Sequence, residues 1–356
     1  MTIELNTAQI LELMDRPAFW VSDGVIREVN PAAAAKFLTP GTGIKGLIVS
    51  GWSEYEQFAS GCMYLTIAVG SVQWAASVMR LAGADLFALD REEQDAGLQT
   101  LSLAAQELRQ PLTQVMSISD HLFPIIDPED DPQTSSQMAR MNRALHQMMR
   151  IIGNMSDAAA PGVPRMELRD ITAVVQEILD HAAPLCTSAG AVLSFDNHPA
   201  AVYTMVDYQR LERALYNLLS NALKHTAPGG IITVRLKRRS SSVYLSVEDQ
   251  GIGADPSLSP GTLSRFLREP SLEDTRNGLG LGLPLVRAAA AAHHGTLLLE
   301  RVKSGGFRAT MSLPIRQLSG TLRSPMVRID YAGERDHGLI ELSESLPPEW
   351  YLPQKL

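Results

Sequence analysis

Asn217, Asn221 and Lys224 stand at i, i+4 and i+7 in YQRLERALYNLLSNALKHT. On a helix capped by Asp207 that spacing puts all three on one face. Two amides and an amine on one face suit a metal ion and phosphate oxygens, although a solvated polar stripe has the same spacing. Next, VYLSVE runs as a strand into Asp249-Gln250-Gly251-Ile252-Gly253. Glycine permits backbone conformations and close approaches that other residues forbid. The Asp249 carboxylate can accept from an exocyclic amine such as adenine offers, and the same pattern also serves as a plain turn. Finally, Gly278, Gly280 and Gly282 alternate with leucines and lead into a helix. Pro284 begins it and Gly295 ends it. A glycine-rich loop feeding a helix N-terminus is a ready anion site. His293 and His294 fall in the last turn, where contact with the helix dipole explains them better than metal ligation.

These residues need a framework to hold them. The chain has 356 residues, 45% of them apolar and 20% charged, as in soluble globular proteins of two or three domains. The net charge of −8 argues against a nucleic-acid interface, which needs a basic face. Two cysteines, Cys62 and Cys186, without a CxxC motif, point to a reduced, cytoplasmic protein. MTIELNTAQI lacks the features of a signal peptide. Gln57 to Met79 is uncharged and long enough to span a bilayer. Its apolar residues alternate on either side of Gly70-Ser71, which predicts a hairpin and no membrane span.

Three blocks follow from the patterning. Residues 1–89 read as strands and short helices, with a hairpin around Asp23-Gly24 and an alanine-rich helix opened by Asn30-Pro31. In 91–157, Leu98, Leu101, Ala105, Leu108, Leu112, Val115, Ser119 and Leu122 step by three and four. Met138, Met141, Leu145, Met148, Ile152 and Met155 do the same. PIIDPEDDPQ separates the two runs, predicting an antiparallel helical hairpin. One hairpin has an apolar stripe left to hide, so a homodimeric four-helix bundle is expected. Residues 165–315 carry the three motifs. The remaining 316–356 read as an extension with a strand and a helical turn or two, and carry no motif.

In this order and spacing, NLLSNALKHT, DQGIG and GLGLGL, closed by GGFRATMSLP, resemble the Bergerat-type ATP-binding domain of the GHKL superfamily, sensor histidine kinases in particular. The resemblance implies ATP and Mg2+ as cofactors. It implies Asn221 as the metal ligand, with Asn217, Lys224 and His225 near the phosphates. Asp249 would take the adenine amine, with Gly251 and Gly253 shaping its pocket. Gly278, Gly280 and Gly282, with Leu283 beside them, would bind the cofactor and hinge a lid over roughly 254–277, where Phe266 resembles the lid phenylalanine. ATP-hydrolysing branches of the superfamily resemble one another in a Glu at the position of Asn217. An amide cannot act as a general base at neutral pH, which favours the histidine-kinase branch.

The first heptad helix carries Gln106-Glu107-Leu108-Arg109-Gln110-Pro111-Leu112, similar to the family's phosphotransfer box. Gln106 stands where the acceptor histidine belongs, and an amide is no useful nucleophile. Glu107 is the family's neighbouring acid/base. His121 lies roughly 22 Å further down the same helix. His146, expected to face outward on the second helix and to sit level with Pro111, is the alternative acceptor. LELMDRPAFWVSDGVIREVNPAAAAKFL resembles the start of a PAS sensor domain. The expected fold is therefore α+β and multidomain: a PAS-like α/β sensor, a dimerising hairpin and an α/β sandwich that binds ATP. Two functions stand open. One is a sensor histidine kinase of a two-component system, an ATP:protein phosphotransferase. The other is a catalytically silent, ATP-binding dimeric scaffold. Either would act on a response regulator or a partner kinase.

Overall fold

The structure is a computed structural model. It describes residues 7–12, 14–81, 84–89, 96–122, 132–159, 162–197, 199–251, 282–302, 305–316 and 336–352. The first part holds α1 (Thr7–Glu12), β1 (Ala18–Ser22), β2 (Val25–Val29), α2 (Pro31–Ala34), β3 (Ile48–Ser50), α3 (Trp52–Gln57), β4 (Cys62–Val69), β5 (Val72–Leu81) and β6 (Ala84–Leu89). Asp23 and Gly24 both have positive φ, 52° and 72°, the turn that matches strand twist in a two-residue hairpin. Asn30 Oδ1 accepts from Ala33 N (2.9 Å) and Ala18 N (3.0 Å). Its Nδ2 donates to Arg16 O (2.8 Å) and Met14 O (3.1 Å), so one buried amide stitches four backbone groups together. The alanine-rich helix it opens is only four residues long. Phe37 ends the segment in the left-handed region, with its side chain in solvent.

The uncharged stretch forms β4 and β5, paired across Val69 and Val72. Met63, Leu65, Ile67, Trp74, Ala76 and Val78 bury one face of this hairpin against Phe19, Ile26 and Phe87. Among the described residues no helix is long and apolar enough to cross a membrane.

Two long helices follow, α4 (Ala96–Leu122) and α5 (Pro132–Ala159). Ala105, Leu112 and Met116 pack against Leu145 and Ile152. Ser119 Oγ donates to Asn142 Oδ1 at 2.7 Å inside the seam. The predicted stripe is split between two surroundings. Ala105, Leu112 and Ser119 are buried, whereas Leu108, Val115 and Leu122 are about half exposed on α4, as are Met141 and Met148 on α5.

The third part holds β7 (Glu167–Asp170), α6 (Ile171–Ser188), β8 (Val192–Asn197), β9 (Tyr203–Val206), α7 (Tyr208–His225), β10 (Ile231–Arg239), β11 (Ser242–Glu248), α8 (Gly282–Ala292), β12 (Leu297–Arg301) and β13 (Phe307–Pro314). A short helix, α9 (His337–Glu341), and a 3-10 turn (Pro348–Tyr351) come last. Apolar faces of α6, α7 and α8 meet Ile232, Val234, Leu245, Val247, Leu297 and Met311 in the largest core.

One sheet of eleven described strands runs through both α/β parts, in the order β2-β1-β6-β5-β4-β12-β13-β11-β10-β8, with β3 on β4. The join is antiparallel pairing of Leu297, Leu298 and Leu299 on β12 with Tyr64, Met63 and Cys62 on β4. Tyr244 Oη donates to Glu54 Oε1 (2.8 Å) beside it. Burial and that carboxylate push the Tyr244 phenol up to about 12. Patterning alone predicts separate blocks; a free strand edge on each side closes them into one sheet.

Candidate functional site

Helix α7 is the base of the site. Asp207 caps it, accepting from Arg210 N at 3.1 Å, and also takes Arg165 N at 2.8 Å. Leu211, Leu215, Leu218, Leu219 and Ala222 bury one face in the core. Asn217 is wholly buried, and its Nδ2 donates to Arg213 O at 2.9 Å. Its Oδ1 is buried and accepts no hydrogen bond from the described residues. Asn221, one turn on, is half-buried; Lys224 and His225 are exposed at the helix end.

The other two motifs converge on this helix. A Cβ on Gly282, where α8 begins, would lie 3.0 Å from Asn217 Oδ1, so the bare backbone lies over the buried amide. Leu283 follows, packed against the main core. A Cβ on Gly251 would collide with the carbonyl of His225. Asp249, at the end of β11, is buried. Its Oδ1 accepts from Gly251 N (2.9 Å) and Phe307 N (3.2 Å), which fixes the carboxylate and closes the turn. Neither bond uses Oδ2. Asn217, Asn221, Lys224, His225, Asp249, Gly251, Gly282 and Leu283 thus lie along the C-terminal half of α7, with Gly282 at Asn217 and Gly251 at His225. Gly253, Gly278, Gly280, Phe266 and the lid over 254–277 lie outside the described residues, as do residues 317–335 of the extension.

Four details correct the sequence reading. His146 does not face outward. It is wholly buried, with Tyr351 packed edge-on at 4.9 Å between ring centroids and Nδ1 bonded to Asn142 O at 2.8 Å. The Ser119–Asn142 bond also sets a register that puts His146 level with about Val115 rather than Pro111. That is roughly 13 Å along the hairpin from Gln106, at 1.5 Å per residue. Gln106 and Glu107 themselves are exposed on α4. Third, His293 does not serve the helix dipole as a cation. Its Nε2 accepts from Asp207 N (3.0 Å) and its Nδ1 lies 2.7 Å from Ala289 O, which defines the neutral tautomer. Burial holds its pKa below the ordinary histidine value. The left-handed cap of α8 is His294, at φ 59°, and not Gly295. Gly295 is required instead because a Cβ would strike the carbonyl of Ser312.

A group of charges unread in the sequence lies against α7. Arg213 pairs with Asp157 on α5 and with Glu341 Oε1 at 3.4 Å. Gly153 on α5 leaves room for that guanidinium. Arg150, also on α5 and nearly buried, donates to Ser220 Oγ at 3.1 Å and meets Glu344 at 3.0 Å and Glu341 at 3.5 Å. Glu344 pairs in turn with Lys224. Burial pulls the Glu344 carboxyl up, but Lys224 and Arg150 outweigh it and hold it below the usual range. Segment 336–352 is therefore part of this site, although no local signal marks it.

The arrangement can be compared with known proteins. Residues 206–317 match the family model "Histidine kinase-, DNA gyrase B-, and HSP90-like ATPase". That ATPase-type region contains α7, β10, β11, α8, β12 and β13, and so every described residue of the three motifs on and around α7. Over longer stretches the chain is similar to sensor kinases. It is 29% identical over 252 residues to histidine protein kinase DivJ of Caulobacter vibrioides, covering 67% of this chain and 40% of DivJ. It is 26% identical over 220 residues to sensor histidine kinase RppB of Synechocystis sp., covering 60% of this chain and 48% of RppB. The chain spans about half or less of the length of these relatives. Among solved structures, full-length ShkA in complex with AMPPNP superposes with a TM-score of 0.50 at 20% identity, covering 62% of this chain and 46% of ShkA. That likeness is one of fold.

Proposed function

We propose that this protein binds Mg-ATP on the α7 face and acts as a sensor histidine kinase-like component of a two-component system. The observation that carries the reading is the convergence of three motifs on the C-terminal half of α7. Asn217, Asn221 and Lys224 lie on the helix, Gly282 rests over Asn217, and Gly251 rests on His225. The match of 206–317 to an ATPase family supports it. So does similarity to histidine kinases over more than half the chain.

The residues fit a magnesium ion shared with phosphates. No group of three or more His, Cys, Asp or Glu able to hold a metal occurs among the described residues. Mg2+ keeps phosphate and water ligands and needs few protein donors. Asn221 would hold it, with Asn217 beside it, whose Oδ1 accepts no hydrogen bond from the described residues. The ion would neutralise phosphate charge. Lys224 and His225 would meet phosphate oxygens, and Asp249 would accept from the adenine amine. Asn217 cannot take a proton from water, so ATP hydrolysis would be slow.

The half-exposed face of the hairpin, Leu108, Val115, Leu122, Met141 and Met148, would be covered by the same face of a second copy, closing a four-helix bundle. Residues 1–89 would form the PAS-like sensor, and a response regulator or partner kinase would receive the output. Gln106 favours a second reading, a silent ATP-binding scaffold, because the exposed position on α4 holds an amide instead of imidazole. Incubation with γ-labelled ATP and Mg2+, beside Asn221→Ala, separates the two. Acid-labile, base-stable label that vanishes in the variant means phosphotransfer to a relocated histidine. Full ATP binding without label means the scaffold. Absence of ATP binding overturns both.

A further inference from the structure

Segment 336–352 is held to the rest of the molecule along its whole length. Leu339, Leu342, Leu346 and Tyr351 are buried in the main core. Gly338 packs under the side chains of Leu185 and Tyr216. Arg143 on α5 donates to the carbonyls of Ser343 (2.9 Å) and Glu344 (2.8 Å), and Gln147 donates to that of Ser343 (3.2 Å). His337 Nδ1 lies 3.2 Å from Glu212 Oε2 on α7. The segment thus bridges α5 of the hairpin and α7 of the nucleotide site, and it places one carboxylate, Glu344, between Arg150 of the first and Lys224 of the second.

We propose that Glu344 is a built-in competitor for the nucleotide: its carboxylate occupies Lys224 until ATP phosphates displace it, and through Arg150 that exchange is felt by the hairpin. The inference rests on the reading of α7 as the phosphate-facing helix. The chemistry is a swap of one oxyanion for another on the same ammonium, with no covalent step. The Lys224 side chain is 28% exposed, so the pair is open to exchange, whereas that of Arg150 is 7% exposed and also held by Ser220 and Glu341. On displacement Glu344 therefore stays with Arg150. Against the pull of burial, Lys224 and Arg150 favour the charged carboxylate of Glu344 and hold its pKa below the ordinary value. His146 and Tyr351 lie on the α5 side of the same bridge, so nucleotide occupancy and cover of that histidine are joined by one short segment.

The test is calorimetric titration of the full chain with Mg-ATP, for the native protein, for Glu344→Gln and for Glu349→Gln. Glu349 is exposed in the same segment and meets neither cation, so it serves as the control. Removing an exchangeable surface pair should make Glu344→Gln bind about two- to fivefold more tightly, with Glu349→Gln unchanged. The gain should shrink in 0.5 M salt, where such pairs are screened. Equal or weaker binding by Glu344→Gln overturns the competitor role while leaving the nucleotide site standing. Failure of all three proteins to bind Mg-ATP removes the nucleotide reading and this inference with it.

Discussion

Gly61 lies directly against the backbone carbonyl of Leu299, at a φ of 99° and with no room for a Cβ. That approach lets β4 pair with β12 and makes one sheet from the N-terminal strands and those of the ATPase-type region. A side chain at 61 would both strain the backbone and push the strands apart. Gly61→Val should open this junction while leaving each part folded. Hydrogen exchange read by mass spectrometry should show faster exchange at 297–299 and at 62–64, with β10 and β11 unchanged. Unaltered protection at 297–299 would mean that the pairing does not depend on Gly61.

Asp249 offers the sharpest test of the nucleotide reading. Asp249→Ala should remove a charged hydrogen bond of ~1.5–3 kcal/mol to the adenine amine. ATP should then bind roughly ten- to a hundredfold more weakly by titration calorimetry. Its Oδ1 also holds Gly251 N and Phe307 N, so Asp249→Asn is the informative partner variant. The amide can keep those backbone bonds while losing the charge. Native affinity in both variants would sink the adenine assignment.

The dimer prediction can be aimed better with the structure than without it. Leu145 is buried inside a single hairpin, so a charge there would break the hairpin itself. Leu108 and Val115 are half exposed on the outer face. Leu108→Glu with Val115→Glu should give a folded monomer by light scattering, with helical circular dichroism retained. A surviving dimer would place the interface elsewhere.

His293 predicts a pH dependence whose sign is set by burial. Its folded pKa lies below the unfolded value of 6.5, because burial disfavours the cation. Around it, Asp207 favours the cation, whereas Arg210 and His294 oppose it. The unfolded chain therefore binds more protons just below pH 6.5, so stability falls as pH drops from that value towards the folded pKa. Urea midpoints at pH 7.5, 6.5 and 5.5 should decline in the native protein and decline less in His293→Gln, which is neutral throughout. Parallel declines would show that other groups dominate.

Asn30 should be one of the costliest polar residues to lose in the N-terminal part. Asn30→Ala strands Ala18 N and the carbonyls of Met14 and Arg16 in a buried setting. It also removes the cap of α2. A loss of about 2–4 kcal/mol in urea unfolding is expected. A loss below about 1 kcal/mol would mean that water replaces the amide.

Local features of this protein are settled by neighbours in the chain, and those are what its sequence determines. Asp23-Gly24 and Gly70-Ser71 turn strands because their backbone preferences act within four residues. Asp207 caps α7 because its carboxylate reaches a backbone amide three residues on. The i, i+4, i+7 spacing puts Asn217, Asn221 and Lys224 on one face for the same local reason. Tertiary structure decided what those faces meet. Whether the heptad residues Leu112 and Leu108 are inside or outside depends on which side α5 takes, and their spacing is the same either way. His146 is buried because Tyr351 packs on it from a distant segment. Lys224 holds a carboxylate because two elements far apart in sequence are packed on the same helix. Charge pairs of that kind have no period and no motif; only the path of the folded chain brings Glu344 to Lys224.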